Sequence, residues 1–388
     1  MAQGCVRAPR PWTRARVAMP SEAFAGGRAA TAKELTSALA SRTASADVKA
    51  RTAAAIEALA ATTDDNRVDI FLSGAVQPLV HLLGTGTCSG RARACGALAK
   101  LSSTVACRNS IVAAGALPAI VALLRSPDDE IQAEALTALT SIAASDDKRL
   151  AIAALGAVPL VVSLVKTGSA RVMDAAAGLI GALAVAEANV EPLSEAGALP
   201  PLVSMLSGGD PARAPIAASA IVGLAAGDVG VQLALDRLGA VPPLIELLSD
   251  AASPRGRACA AGALAALALS KEISQNLVAE GVLPPTVALL TTGDDDGKLE
   301  AARLLMNLTD HEVAEREATV AAGAVVPLLT LLAIGMPQGR ARATGALRNL
   351  AKEMDTRIAI EEAVPTVTKG LVANKMQEVK EVLQRRCF

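Results

Sequence analysis

Aromatic side chains are almost missing from this sequence. Its 388 residues include three Phe (Phe24, Phe71, Phe388), one Trp (Trp12) and no Tyr, while 52% are apolar. Sugar, nucleobase and flavin sites, which usually stack their ligands on aromatic faces, are therefore not expected. Strands are enriched in aromatic and β-branched residues, so a β-sandwich is also disfavoured. Alanine carries much of the apolar total, and alanine is the best helix former. The composition points to an all-α protein whose core consists of many small contacts between close backbones.

Metal, redox and catalytic chemistry are equally short of material. His81 and His311 are the only histidines, and no two of Cys5, Cys88, Cys95, Cys107, Cys259 and Cys387 have CxxC spacing. A zinc site needs clustered ligands, so none is expected, and the cysteines read as scattered reduced thiols. Neither charge sign is in excess. Lys+Arg 37 against Asp+Glu 38 gives a net charge of -1, which steers the chain toward neither nucleic acid nor an anionic membrane. The longest apolar runs, Ala175–Ala186 and Ala258–Leu269, have twelve residues each, too few for a transmembrane segment. No nucleophile elbow, phosphate loop or dinucleotide fingerprint occurs. Gly293-Asp-Asp-Asp-Gly297 lacks the alternating ligands and closing Glu of a calcium loop. The expectation is no catalytic residue, no metal, no cofactor and no enzyme.

What the sequence does have is internal repetition, the sign of a repeat architecture. Gly74-Ala-Val-Gln-Pro-Leu-Val80 returns at Gly115, Gly156, Gly197, Gly239, Gly281 and Gly323, always 41 or 42 residues on, and Glu362-Ala-Val-Pro-Thr-Val367 is a degenerate further copy. Before each glycine lies a short apolar-periodic segment that predicts a helix. The glycine suits a left-handed cap at its end. A following proline fits the first turn of a second helix, where its missing N–H is not needed. After a polar break such as Ser126-Pro-Asp-Asp129 comes a longer third helix. In one copy Ile131, Ala135, Leu136, Leu139 and Ile142 share a helical face. No three-helix unit of this kind buries its apolar face alone, so neighbours must stack.

This layout resembles the armadillo repeat. The likeness runs over residues 47–386 and rests on the Gly-Ala-(Val/Leu)-Pro-Pro-Leu-(Val/Ile) motif and on third-helix strings such as Gly345-Ala-Leu-Arg-Asn-Leu-Ala351. The wording is similar to plant- and algal-type arrays, including those of U-box ubiquitin ligases and vacuolar armadillo proteins. The resemblance implies an all-α superhelical solenoid of about seven to eight three-helix repeats, with third helices lining a concave face. Residues 1–30 would be a basic tail or an organellar targeting segment, 31–64 capping helices, 65–353 seven repeats and 354–388 a capping partial repeat. Residues 1–46 are too short for a U-box.

In the nuclear-import members of the family, a Trp and an Asn on successive third helices grip an extended peptide. The matching pairs here are Gly96/Lys100, Thr137/Ser141, Gly178/Ala182, Ser219/Gly223, Gly262/Ala266, Arg303/Asn307 and Gly345/Asn349. Trp is absent throughout and Asn occurs only twice, so a receptor for nuclear-localisation signals of the usual sort is not expected. Lys100, Ser141, Arg303, Asn307 and Asn349 are the candidate partner contacts, and an Asn amide both donates to and accepts from a peptide backbone. Arg91, Arg257, Lys298 and Arg340 share one position in the first turn of a third helix. There the helix dipole disfavours a cation by about 0.3–1 kcal/mol. The repetition implies an acidic partner or else solvated arginine, and Gln132, Met173 and Ala214 interrupt the series. The implied function is a monomeric, intracellular (cytoplasmic or nuclear) scaffold binding an extended or helical peptide along its concave face. The alternatives are a ubiquitin-pathway adaptor and a membrane- or vacuole-associated scaffold.

Overall fold

The computed structural model describes residues 28–208, 210–249, 252–369 and 373–386. Segment 1–27, with most of the expected basic tail, and the terminal residues Cys387 and Phe388 lie outside the described residues. Those described form 25 α-helices and one 3-10 turn, with no strand. Helices α1 (Arg28–Ala40) and α2 (Ala46–Ala60) come first. Seven units follow. The first three are α3 (Asp64–Leu72), α4 (Val76–Thr85) and α5 (Cys88–Leu101); α6 (Val105–Ala113), α7 (Ala116–Leu123) and α8 (Asp129–Ile142); and α9 (Asp146–Ala154), α10 (Ala157–Thr167) and α11 (Ala170–Ala184). The fourth has the 3-10 turn Glu187–Asn189, α12 (Val190–Glu195), α13 (Leu199–Ser207) and α14 (Ala214–Ala225). The last three are α15 (Val229–Arg237), α16 (Val241–Leu247) and α17 (Pro254–Leu267); α18 (Lys271–Ala279), α19 (Leu283–Thr292) and α20 (Asp295–Leu308); and α21 (Val313–Ala321), α22 (Val325–Ile334) and α23 (Pro337–Leu350). Helices α24 (Met354–Thr368) and α25 (Ala373–Arg386) close the array.

The repeat glycines make the corner between first and second helices. All seven have φ of 75–82°, a region costly for any residue with a Cβ. In units 1, 2, 3 and 7 the two helices meet at 80–82°, and among the described residues no single helix is long and apolar enough to cross a membrane. Four of the seven third helices start on side-chain caps: Thr87, Asp128, Ser253 and Asp294 accept backbone N–H groups at the starts of α5, α8, α17 and α20. Such caps satisfy donors that have no partner inside the helix.

Third helices pack directly on one another from α2 through α5, α8, α11, α14, α17 and α20 to α23. About half of their fully buried hydrophobic residues are small, among them Ala135, Ala177, Ala218, Ala261 and Ala302. First helices touch their successors far less. The stack therefore curves, with the third helices on its inner face.

A second device joins the units. In several of them the residue seven before the repeat glycine donates to a last-turn carbonyl of the preceding third helix. Arg67 Nη1 reaches Ala60 O at 2.9 Å, Arg108 Nη1 reaches Ser102 O at 2.6 Å, Gln232 Nε2 reaches Ala225 O at 2.8 Å and Arg316 Nε reaches Thr309 O at 3.0 Å. These carbonyls have no partner within their own helix, and the dipole there favours a cation. Unit 6 has Ser274 in this place, with a buried and unpartnered Oγ.

Unit 4 departs from the pattern. The other first helices have nine residues, whereas α12 has six, preceded by a 3-10 turn. Pro192 has no N–H to reach back to the Ala188 carbonyl, so the first turn cannot close as an α-helix. Val190 stands where Arg67 and Arg108 stand, and the adjacent Asn189 Nδ2 donates instead to Leu183 O at 3.0 Å.

Candidate functional site

The inner faces of α11, α14, α17 and α20 enclose a groove of about 610 Å³. Its floor includes Gly178, Ala182, Ser219, Gly223 and Gly262, five positions of the matching pairs on three consecutive helices. Two of its glycines differ in kind. A Cβ on Gly181 would come within 3.0 Å of the Ala220 Cα, so that glycine permits the approach of α11 to α14. A Cβ on Gly178 would meet nothing within 4 Å, so that glycine leaves open space over the groove.

One wall is charged. Arg303 lies beside Glu300, with Nη2 to Oε2 at 2.8 Å, and donates to Gly262 O at 2.8 Å. Burial pushes the Glu300 carboxyl above its ordinary range, while Arg303 and Arg342 act to lower it. Burial likewise raises the Cys259 thiol against the opposing pull of Arg255. Arg255 and Arg342 are exposed.

The other expected contact residues are spread along the inner face. Asn307 Nδ2 donates to Ala265 O at 2.7 Å, and Asn349 Nδ2 to Met306 O at 3.0 Å. Each thus links its helix to the preceding third helix. Asn307 is half-buried, whereas Asn349 is only 4% exposed, which leaves little room for a peptide at its amide. Ser141 Oγ donates to Thr137 O at 3.0 Å, and Lys100 is exposed at the end of α5. In the first-turn series, Arg91 Nη2 donates to Gly84 O at 3.1 Å, and Gln132 Nε2 at the equivalent place donates to Ser126 O at 2.7 Å. Both bind the chain at or just after the end of a second helix. For Arg91 this offsets the unfavourable dipole of its own helix, because Gly84 lies at the negative end of another. Arg257 and Arg340 also have interaction partners in the chain, and Lys298 is half-buried.

Sequence reasoning missed the ion pairs along the third helices from α2 to the start of α14. Arg93 lies between Glu57 at 3.4 Å and Glu130 at 2.7 Å, and Arg171 meets Glu134 at 2.5 Å. Arg213 lies 3.3 Å from both Asp174 and Asp210. Burial raises the Glu57 carboxyl, with Arg93 opposing. Such partly exposed pairs contribute about 0–1 kcal/mol each, but they neutralise the inner face. The signal was present as opposite charges 37 residues apart, as in Arg93 with Glu130 and Glu134 with Arg171. Among the described residues, no group of three or more His, Cys, Asp or Glu is placed to hold a metal ion.

The profile of the armadillo/beta-catenin-like repeat matches residues 104–144, which is the second unit from the cap of α6 to the end of α8. No curated protein matches the chain. Among solved structures, an engineered protein from a structural genomics consortium is similar at 29% identity and TM-score 0.74, covering 91% of this chain and 88% of its own. A designed armadillo repeat protein is 30% identical with TM-score 0.56, covering 60% of this chain and 99% of its own. A second designed armadillo repeat protein, in complex with the peptide (KR)4, is 30% identical with TM-score 0.54 over the same shares. With its glycine-cornered three-helix units stacked through their third helices, and with that identity over nearly the whole of a designed relative, the chain belongs to the armadillo-repeat family.

Proposed function

We propose that the chain is a non-catalytic scaffold that holds an extended or helical peptide of a protein partner in the groove over α11, α14, α17 and α20. The observation that carries this reading is the open floor at Gly178 and Ser219, where small residues expose backbone and leave room for a second chain. A similar designed protein solved with a peptide supports the same class of ligand. The groove offers both charge signs at one end, where Asp296, Glu300 and Arg303 line it, and the exposed guanidinium group of Arg255 suits an acidic side chain of the partner.

The test is to select random twelve-residue peptides on the full chain, then titrate the winners as labelled probes against Gly178→Trp combined with Ser219→Trp. Both positions face open space, and glycine inside a helix is about 0.5–1 kcal/mol worse than alanine, so the variant is expected to keep its fold and melting temperature. Two indoles on the floor should weaken binding by about a hundredfold, the loss of a buried hot spot of roughly 2–3 kcal/mol. Peptides that bind the filled variant as tightly as the original chain would place the ligand elsewhere.

A further inference from the structure

We infer that the groove continues at unit 4 into a pocket that takes a basic side chain, Arg or Lys, of the bound peptide. This rests on the groove reading above and deepens it. The pocket lies at the C-terminal ends of α11 and α14, encloses about 580 Å³ and shares Val185, Val222 and Gly223 with the main groove. One peptide can therefore occupy both.

The chain shows what such a space holds elsewhere. Two units earlier, Arg108 donates from Nη1 to Ser102 O at 2.6 Å and to Ser103 O at 3.1 Å. The shift from Gly115 to Gly197 carries Arg108, Ser102 and Ser103 onto Val190, Ala184 and Val185, and all three line the pocket. Unit 4 thus has Ala184 and Val185 at the cradle positions and a buried valine, Val190, where the arginine stands. Asn189 takes the Leu183 carbonyl, one residue further back.

Charge points the same way. Glu187, Glu191 and Asp228 line the pocket, and among the described residues no Lys or Arg does. Asp228 is already committed to capping α15 through the Gly230 and Val231 N–H groups, whereas Glu187 and Glu191 are exposed. The pocket also sits at the end of α11, where the dipole favours a cation. Val185, 60% exposed, offers an apolar contact for the stem of a long basic side chain. Pro192 explains why this occurs in unit 4: it shortens the first helix and turns its start into the 3-10 segment that carries Glu187.

The experiment uses the same selected peptides on the full chain. One variant, Glu187→Gln with Glu191→Gln, removes two exposed charges. A second, Val190→Arg, restores the arginine that other units carry. The winning peptides should share one basic position. The double Gln variant should bind them about three- to tenfold more weakly, the scale of two exposed ion pairs, with the gap narrowing at high salt. Val190→Arg should weaken binding at least tenfold and abolish the preference for a basic residue. If winners lose binding to the Trp-filled groove yet show no basic position and bind both pocket variants unchanged, the pocket inference is overturned and the groove reading stands. If no peptide is selected, or the Trp-filled groove binds normally, both fail.

Discussion

Arg316→Ala is expected to destabilise the C-terminal end of the array by about 2–4 kcal/mol, read by urea unfolding of the whole chain. The Arg316 side chain is 8% exposed and serves three partners. Its Nε holds Thr309 O, Nη2 reaches His311 O at 3.2 Å, and Nη1 meets Glu353 Oε1 at 2.8 Å. Truncation leaves the Thr309 carbonyl, just past the end of α20, without a donor and frees the residue that precedes α24. Arg316→Gln should recover part of the loss, because Gln232 makes the equivalent bond in unit 5 with an amide. An array of stacked units need not unfold in one step, so the loss is expected in the transition of the last units. An unchanged unfolding curve for Arg316→Ala would remove the role assigned to this position throughout the array.

Leu136→Ala in α8 should cost about 2–5 kcal/mol, toward the upper part of that range. Leu136 is fully buried on the inner stack, among fully buried Ala133, Ala135 and Ala138 of its own helix and the small residues of its neighbours. The cost of such a truncation depends on how far the surroundings relax into the cavity. Alanine has no rotamers with which to do so, and the backbones on both sides are already in close approach. A chain with aromatic or methionine neighbours would recover more of the loss than this one. Thermal or urea unfolding measures the effect directly. A cost below about 1 kcal/mol would contradict a core held by close-packed small residues.

Much of the architecture was legible because its signals are local. The repeat glycines require a backbone that only they adopt cheaply, and they stand at positive φ at each of the seven corners. Proline in the first turn of α13, α16 and α19 marks second-helix starts in the same local way. The inner face was less legible, because it depends on pairing between units. Asn307 and Arg303 are visible in the sequence as polar residues at ladder positions, but nothing local indicates that both bind carbonyls of α17. Arg91 shows the same gap. Its place at a helix start looks unfavourable until the end of α4 is seen beside it. The pocket at unit 4 was hidden for a different reason. It arises from an absence, Val190 in place of an arginine, and gains meaning only once Arg108 is seen in its cradle.

The central claim is that the partner lies over the third helices of units 3 to 6, and site-directed photocrosslinking tests it most directly. A benzophenone side chain would replace Ser219 on the floor of the groove, or Leu238 at the end of the first helix α15, where the residue is 42% exposed. The account predicts that a selected peptide crosslinks at position 219 and not at 238. Crosslinking at 238 with none at 219 would contradict it.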